Sequence, residues 1–230
     1  MKCYAFIPAR GGSKGIHKKN HSVIGSKPLY QITIDLALES NEFEKIIVST
    51  DDKEILNSHQ DKNVVLIKRP PEISQDSSPT SEALDHALST LDIRDGLYVI
   101  LQCTSPFRRI QTIKDGIKLL KSNPSHLIIG GSIASDNHPA RMYFEDTSGE
   151  YKPLNKKNEK LRRQDLPKVI HRNGLFYGSN IKDFLESKII MLDKKKFIFS
   201  DEIESINIDS ELDLDFARFV AQRNEKNKKI

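Results

Sequence analysis

The sequence predicts an α/β protein in which a mostly parallel, twisted sheet is covered by helices on both faces. Short apolar runs recur along the chain, and each is followed by a stretch with helical spacing or by a polar loop. The 230 residues, 37% hydrophobic and 30% charged, supply enough apolar material for one core. A glycine-rich loop follows the first run, at the edge where open α/β sheets bind ligands. We therefore expect a single domain over residues 1–230.

Seven apolar runs predict the strands of this sheet. The first five are Cys3–Ile7, Lys45–Ser49, Val64–Ile67, Leu97–Gln102 and Leu127–Gly130. The chain is expected to return to the sheet at Gly174–Tyr177 and Ser205–Ile208. The basic run Lys194–Lys196 between them is interpreted as a solvated turn.

Four helices are predicted by apolar residues spaced three or four apart. Pro28 opens the first, Ser78 with Pro79 starts the second, and Ser210 caps the last, where Asp213 suits the helix dipole. The apolar stripes are Leu29, Ile32 and Leu36; Ala83, Leu84, Ala87, Leu88 and Leu91; Ile110, Ile113, Ile117 and Leu120; and Leu212, Phe216, Phe219 and Val220.

Charge, hydropathy and cysteine content exclude several classes of protein. Lys and Arg total 36 against 32 Asp and Glu, and the net charge of +4 is too small and too dispersed to indicate nucleic-acid binding. No apolar run approaches the roughly 20 residues that span a bilayer. Pro8 and Arg10 interrupt the first run, so no secretion signal is predicted and a cytoplasmic protein is expected. Cys3 and Cys103 are too few for a disulfide framework or a cysteine metal cluster.

The regular alternation stops between about Asn137 and Arg172. This segment is polar and basic, and it includes Arg141, Arg162 and Arg163. Because long structureless loops are uncommon inside compact domains, we expect an inserted arm that holds a hairpin and serves substrate capture or dimer contact.

The loop from Pro8 to Asn20 predicts an anion site. It combines three glycines with four Lys and Arg side chains directly after the first strand. Glycines let backbone N–H groups approach a ligand, and the cations supply the charge that phosphate oxygens require. The loop matches neither a dinucleotide-binding fingerprint, which needs glycine where Arg10 stands, nor a Walker loop.

The stretch from Ala9 to Asn20 resembles the signature of the acylneuraminate cytidylyltransferases. Further motifs of that family occur in the same order and cover nearly the whole chain. They are Arg69-Pro70 with Asp76–Thr80, Leu101–Arg108, Asn173–Tyr177 and Ile208–Asp213.

The resemblance implies an activity and a set of site residues. Family members activate a nine-carbon α-keto acid sugar with CTP and Mg²⁺, giving the CMP-sugar and pyrophosphate, and they form homodimers through the arm. The positions assigned to the nucleotide are Arg10, Gly12, Ser13, Lys14, Lys19, Asn20, Arg69, Ser78 and Thr80. Those assigned to the sugar are Gln102, Arg141, Arg163, Asn173 and Tyr177. Arg10, Lys19 and Asp209 are expected to be catalytic.

The chain departs from the family pattern at the expected metal site. The family carries two aspartates before the last helix, whereas here the first is Asn207, which leaves Asp209 as the chief ligand for Mg²⁺. Two alternatives stay open: a working cytidylyltransferase, and an altered homologue that binds nucleotide with an impaired metal site. The acid also stays open among N-acetylneuraminic, legionaminic and pseudaminic acids, because Arg172 replaces a family proline beside the sugar site.

Overall fold

The computed structural model describes residues 1–58, 61–134 and 137–227. The strands are β1 Cys3–Pro8, β2 Val23–Ile24, β3 Lys27–Pro28, β4 Lys45–Thr50, β5 Val64–Lys68, β6 Leu97–Ile100, β7 Leu127–Ile133, β8 Tyr143–Glu145, β9 Tyr151–Pro153, β10 Ile170–Asn180 and β11 Lys195–Phe199. The helices are α1 Leu29–Ser40, α2 Lys53–Leu56, α3 Thr80–Thr90, α4 Ile110–Ser122, α5 Ile181–Ser187 and α6 Glu211–Asn227.

Seven of these strands form one mostly parallel sheet in the order β11-β7-β10-β6-β1-β4-β5. Only β10 runs antiparallel to its neighbours β6 and β7 among these strand pairs. The carboxyl ends of β1, β4, β5 and β6 therefore meet at one edge, which the beginning of β10 also reaches. This edge is where the sequence places the glycine-rich loop.

Alternate residues of each central strand face two separate cores. On one side Ala5 and Ile7 of β1 belong to a cluster with residues of α1, α4 and α6. On the other side Tyr4 and Phe6 belong to a cluster with residues of α3 and α5. Because successive strand side chains point to opposite faces, this division shows helices on both faces of the sheet, as predicted.

The prediction of the last strand was wrong. Ser205–Ile208 forms a loop, and the edge strand of the sheet is β11, which pairs in parallel with β7. β11 begins inside the basic run that was interpreted as a turn. Lys195 and Lys196 are exposed there, as suits the edge of a sheet, while Phe197 and Ile198 are partly buried.

Two predictions about helices also need correction. The second predicted helix, α3, begins at Thr80 rather than at Ser78, whose hydroxyl instead accepts from the backbone N–H of Gln75 at 3.1 Å. The predicted stripe of α6 is mostly exposed, because Leu212, Phe216 and Phe219 face outward. Among the α6 side chains that the structure describes, Leu214, Ala217 and Val220 are buried, and of these only Val220 belongs to the predicted stripe. Among the described residues, no helix is both long enough and apolar enough to cross a membrane.

The predicted arm contains the hairpin that was expected. β8 and β9 pair antiparallel, with Phe144 opposite Lys152. The hairpin lies outside the main sheet, and Tyr143, Phe144 and Tyr151 are 52%, 49% and 70% exposed.

Candidate active site

A cavity of about 460 Å³ opens at the carboxyl edge of the sheet. It brings together most of the residues predicted to hold a nucleotide, on segments far apart in the sequence. Its walls are formed by Pro8, Arg10, Gly12, Ser13, Lys19, Asn20, Arg69, Asp76, Ser78, Thr80, Gln102, Cys103, Thr104, Asn207 and Asp209. We call this the nucleotide cavity.

The glycine-rich loop is held in place by contacts with its surroundings. The N–H of Gly11 donates to the carboxylate of Asp51 at 2.7 Å, just after β4. Asn20 donates from its side-chain amide to the carbonyl of Arg10 at 2.8 Å and so ties the two ends of the loop together. A β-carbon on Gly15 would lie 2.3 Å from the carbonyl oxygen of Asp209, so only glycine lets the loop approach that backbone.

An acidic residue that the sequence analysis did not assign to the site faces the cations of the loop. Asp76 accepts from Arg10 Nη2 at 2.6 Å and lies 3.7 Å from Lys14 Nζ. A polyphosphate bound to these cations would compete with this carboxylate. Asp76 belongs to the family motif Asp76–Thr80, and its place in that motif was the sequence signal for a role at this site. The Lys14 side chain is 82% exposed and lies outside the walls of the cavity.

Lys19 connects the glycine-rich loop to the expected metal ligands. Its ammonium group donates to the carbonyl of Ile208 and to the Asp209 carboxylate, both at 3.1 Å. The other Asp209 oxygen accepts from the side-chain amide of Asn207 at 2.5 Å. Asn207 Oδ1 is buried and has no hydrogen-bond partner among the described residues, which also hold no group of three or more His, Cys, Asp or Glu placed for a metal.

Arg69 forms another wall of the nucleotide cavity. It is 5% exposed, and it donates to the hydroxyl of Ser49 at 3.0 Å and to the Ser49 carbonyl at 2.8 Å. Burial lowers the pKa of Arg69 to about 10, so the guanidinium stays charged at neutral pH. Its position at the end of β5 is fixed by these two bonds to β4.

A second cavity of about 440 Å³ adjoins the first, because Thr80 and Gln102 line both. Its remaining walls are more apolar, and they carry two cations. They are formed by Pro79, Ser81, Ile100, Arg172, Tyr177, Lys188, Ile189, Ile190 and Met191. Burial raises the pKa of Tyr177, which keeps its hydroxyl protonated at neutral pH. We call this the acceptor cavity, after Gln102 and Tyr177, two of the residues predicted to contact the sugar that would accept CMP.

Gln102, between the two cavities, is positioned by a buried arginine. Arg108 donates to the carbonyl of Gln102 at 2.8 Å and to the carbonyl of Leu175 at 2.6 Å, which ties the end of β6 to β10. Gly174 leaves room for the Gln102 side chain, since a β-carbon there would lie 2.3 Å from Gln102 Oε1.

The other residues predicted for the sugar do not line either cavity. Arg141 and Arg163 are exposed on the arm. Asn173 is buried, and its side-chain amide donates to the hydroxyl of Ser200 at 3.0 Å. Of the five predicted sugar residues, Gln102 and Tyr177 thus lie where the cavities are.

Comparisons with known proteins identify the family. A family model described as cytidylyltransferase matches residues 4–224. The N-acylneuraminate cytidylyltransferase of Escherichia coli O18:K1:H7 is 29% identical over 99% of this chain and 54% of its own length. The pseudaminic acid cytidylyltransferase of Campylobacter jejuni serotype O:23/36 is 28% identical over 98% of this chain and 99% of its own. The chain thus spans about half the length of the first relative and nearly all of the second.

The fold is also found in a solved structure of CMP:2-keto-3-deoxy-manno-octonic acid synthetase complexed with CTP. The two share 15% of their residues at a TM-score of 0.71, with 97% of this chain and all of the other covered. The family model matches nearly the whole chain, and the motifs named in the sequence lie at the strand ends of this fold. This protein therefore belongs to the cytidylyltransferase family.

Proposed function

We propose that the protein transfers CMP from CTP to the anomeric hydroxyl of an acidic nine-carbon α-keto sugar and releases pyrophosphate. One observation carries this proposal: two cavities of similar size adjoin at the sheet edge and share Thr80 and Gln102. The cavity with the glycine-rich loop suits a nucleoside triphosphate, and the more apolar one suits a sugar acid with acyl groups. A transfer reaction requires two substrates to meet in this way.

The chemistry is an in-line displacement at the α-phosphorus. The anomeric oxygen forms a bond to that phosphorus while the bond to the pyrophosphate oxygen breaks, so the leaving group carries away the negative charge. Such a step needs mainly orientation and charge neutralisation. Arg10 and Lys19 lie on the cavity wall, where their positive charges would neutralise the phosphate oxygens. Asp209, with a side chain 69% exposed, would accept the proton of the attacking hydroxyl.

The donor atoms present fit a magnesium ion. Mg²⁺ binds in such sites through one or two protein oxygens, with water and substrate phosphates as its other ligands. The Asp209 carboxylate lies on the cavity wall, and Asn207 Oδ1 is an oxygen without a hydrogen-bond partner among the described residues. Asp209 with Asn207 would hold the ion, which would neutralise phosphate charge when bound.

The acceptor is proposed to contact Gln102 and Tyr177. The amide of Gln102 can both donate to and accept from hydroxyl groups.

We further propose that the arm between about 137 and 172 forms a homodimer contact and that Arg141 and Arg163 reach the acceptor acid in that assembly. The exposed aromatic residues of the β8–β9 hairpin support this. Light scattering of the purified protein tests the dimer.

We also propose that the reaction takes place in the cytoplasm, where CTP is made.

A second function is favoured by the bond between Asn207 and Asp209. The amide nitrogen, rather than a second carboxylate, faces the Asp209 oxygen at 2.5 Å. The chain would then bind nucleotide with an impaired metal site. Asn207→Asp distinguishes the two: it restores turnover to an impaired site, whereas in a working enzyme it changes only the Mg²⁺ concentration needed for half-maximal activity.

The test of the main proposal is pyrophosphate release. CTP and Mg²⁺ are supplied with N-acetylneuraminic, legionaminic or pseudaminic acid, and ATP, GTP and UTP serve as controls. Release with CTP and one acid is expected. No release with any acid, together with no CTP-induced rise in melting temperature, would refute the proposal.

A further inference from the structure

A buried carboxylate lies beneath the loop that carries the expected metal ligands. Glu204 is only 2% exposed, in the loop between β11 and α6, and it lines neither the nucleotide cavity nor the acceptor cavity. Acidic side chains are almost never fully buried unless they are paired or hydrogen-bonded, because removing their charge from water is costly. The partners of Glu204 therefore show what its burial achieves.

Those partners belong to the N-terminus of α4. The Glu204 carboxylate accepts from the backbone N–H of Arg109 at 2.9 Å and from the hydroxyl of Thr112. Arg109 is the N-cap residue of α4, its side chain makes no capping bond, and the first turn of the helix has no acidic residue. Thr112 stands three residues after the cap, where a glutamate commonly bonds back to the N-cap N–H. Glu204 supplies that missing carboxylate from another part of the chain.

This contact joins the segment that carries Gln102, a proposed acceptor contact, to the segment that carries Asp209, the proposed base. The segment before α4 begins at Gln102, which lines both cavities. The segment after Glu204 leads to Asp209 through Ile208, whose backbone N–H donates to the carbonyl of Thr104 at 2.9 Å. The position of Asp209 relative to Gln102 thus depends on how these two segments are held together.

We propose that Glu204 is a positioning residue, which fixes the 204–209 segment against α4 and so sets where Asp209 meets the acceptor. The kinetic part of this inference rests on the proposed cytidylyl transfer. A shift of about 1 Å in a reacting group can cost about a hundredfold in rate. The contacts of CTP with Arg10, Arg69 and Thr80 lie on other segments, so they stay in place.

The expected effects separate positioning from folding. Glu204→Ala lowers kcat about a hundredfold, while KM for CTP changes less than about threefold. Glu204→Gln keeps an acceptor oxygen for Arg109 and Thr112, so it recovers most of the lost kcat. Thr112→Val weakens the same contact from the helix side and guards against a Glu204 variant that fails to fold. It is expected to lower kcat in the same direction by a smaller factor.

A second readout needs no substrate. Hydrogen exchange at the Ile208 amide reports the bond to Thr104, and its rate is expected to rise in Glu204→Ala and to stay near the wild-type value in Glu204→Gln. If wild-type protein shows no transfer with any acid, this measurement still tests the positioning role. The inference fails if Glu204→Ala only lowers the melting temperature while kcat and Ile208 exchange are unchanged. It also fails if Glu204→Gln is as inactive as Glu204→Ala with a normal exchange rate, since the charge itself would then matter.

Discussion

Replacing Gly15 by alanine should separate the glycine-rich loop from the segment that carries Asn207 and Asp209, without removing any polar side chain. The β-carbon of an alanine would lie 2.3 Å from the Asp209 carbonyl oxygen, and ordinary contacts begin near 3.4 Å. One backbone segment must therefore move by about 1 Å, because neither atom is at the end of a flexible side chain. A displacement of this size between reacting groups predicts a fall of about a hundredfold in kcat/KM.

The same displacement should break a specific ion pair. Lys19 lies four residues after Gly15 and donates to Asp209 at 3.1 Å, which is already longer than the roughly 2.7–2.9 Å of a strong charge-assisted bond. Separation by about 1 Å removes it. We expect the Mg²⁺ concentration needed for half-maximal activity to rise, since Asp209 would lose its fixed orientation.

Pyrophosphate release at varied CTP and Mg²⁺ measures this effect. The matched control is Gly11→Ala in the same loop, where the new β-carbon would meet Asp52 Cβ at 3.4 Å, Asp52 Oδ2 at 3.5 Å and Asp51 Oδ1 at 3.7 Å, all ordinary contact distances. We expect its kcat/KM to fall far less than that of Gly15→Ala. Equal losses in the two variants, or full activity in Gly15→Ala, would refute the steric reasoning.

Three further predictions concern the thiols, the acceptor cavity and the last helix. Burial raises the pKa of both Cys3 and Cys103 to about 12, so both thiols stay protonated near pH 8. They should therefore react with a disulfide reagent only after denaturation. Rapid reaction of the native protein would contradict this prediction. Gly174→Ala would displace the Gln102 side chain and should raise KM for the acid about tenfold. The CTP-induced rise in melting temperature should stay the same. An unchanged KM for the acid would argue against Gln102 as a sugar contact. Ser210→Ala removes a helix cap and should lower the free energy of unfolding by about 1 kcal/mol in urea melts, and no loss would mean that water replaces the cap.

The sequence predicted the cap of α6 but gave no signal for the cap of α4. Ser210 was predicted as the cap and Asp213 as a carboxylate that suits the helix dipole, and the structure adds that the two residues bond to each other reciprocally, because both are local. The cap of α4 could not be predicted in this way, since its carboxylate comes from Glu204, 95 residues from Arg109. Spacing along the sequence predicts contacts between residues a few positions apart, and it does not predict contacts between segments that only folding brings together.

The buried face of α6 shows a second limit. Leu212, Phe216, Phe219 and Val220 form the predicted apolar stripe, and Leu214, Ala217 and Val220 form another that shares only Val220 with it. Spacing alone cannot choose between them, and the larger side chains are the exposed ones. The smaller side chains let α6 approach the core closely. Which face of α6 fits there depends on the shape of the sheet against which it packs.

The walls of the nucleotide cavity were more predictable than those of the acceptor cavity. Most of its residues come directly after parallel strands or at the start of α3, so strand order brings them together. The acceptor cavity depends on the antiparallel course of β10, which places Tyr177 beside Ile100, and on the segment after α5. Neither feature leaves a local pattern, and Ile189 and Met191 were therefore not anticipated.

The central claim is that the anomeric oxygen of the acid attacks the α-phosphorus of CTP. The most direct measurement supplies the acid with ¹⁸O at the anomeric hydroxyl and follows the label by mass spectrometry. We predict that the CMP-sugar retains the heavy oxygen, which becomes the bridging atom, and that the pyrophosphate is unlabelled. A CMP-sugar without the label, or label in the pyrophosphate, would contradict this mechanism.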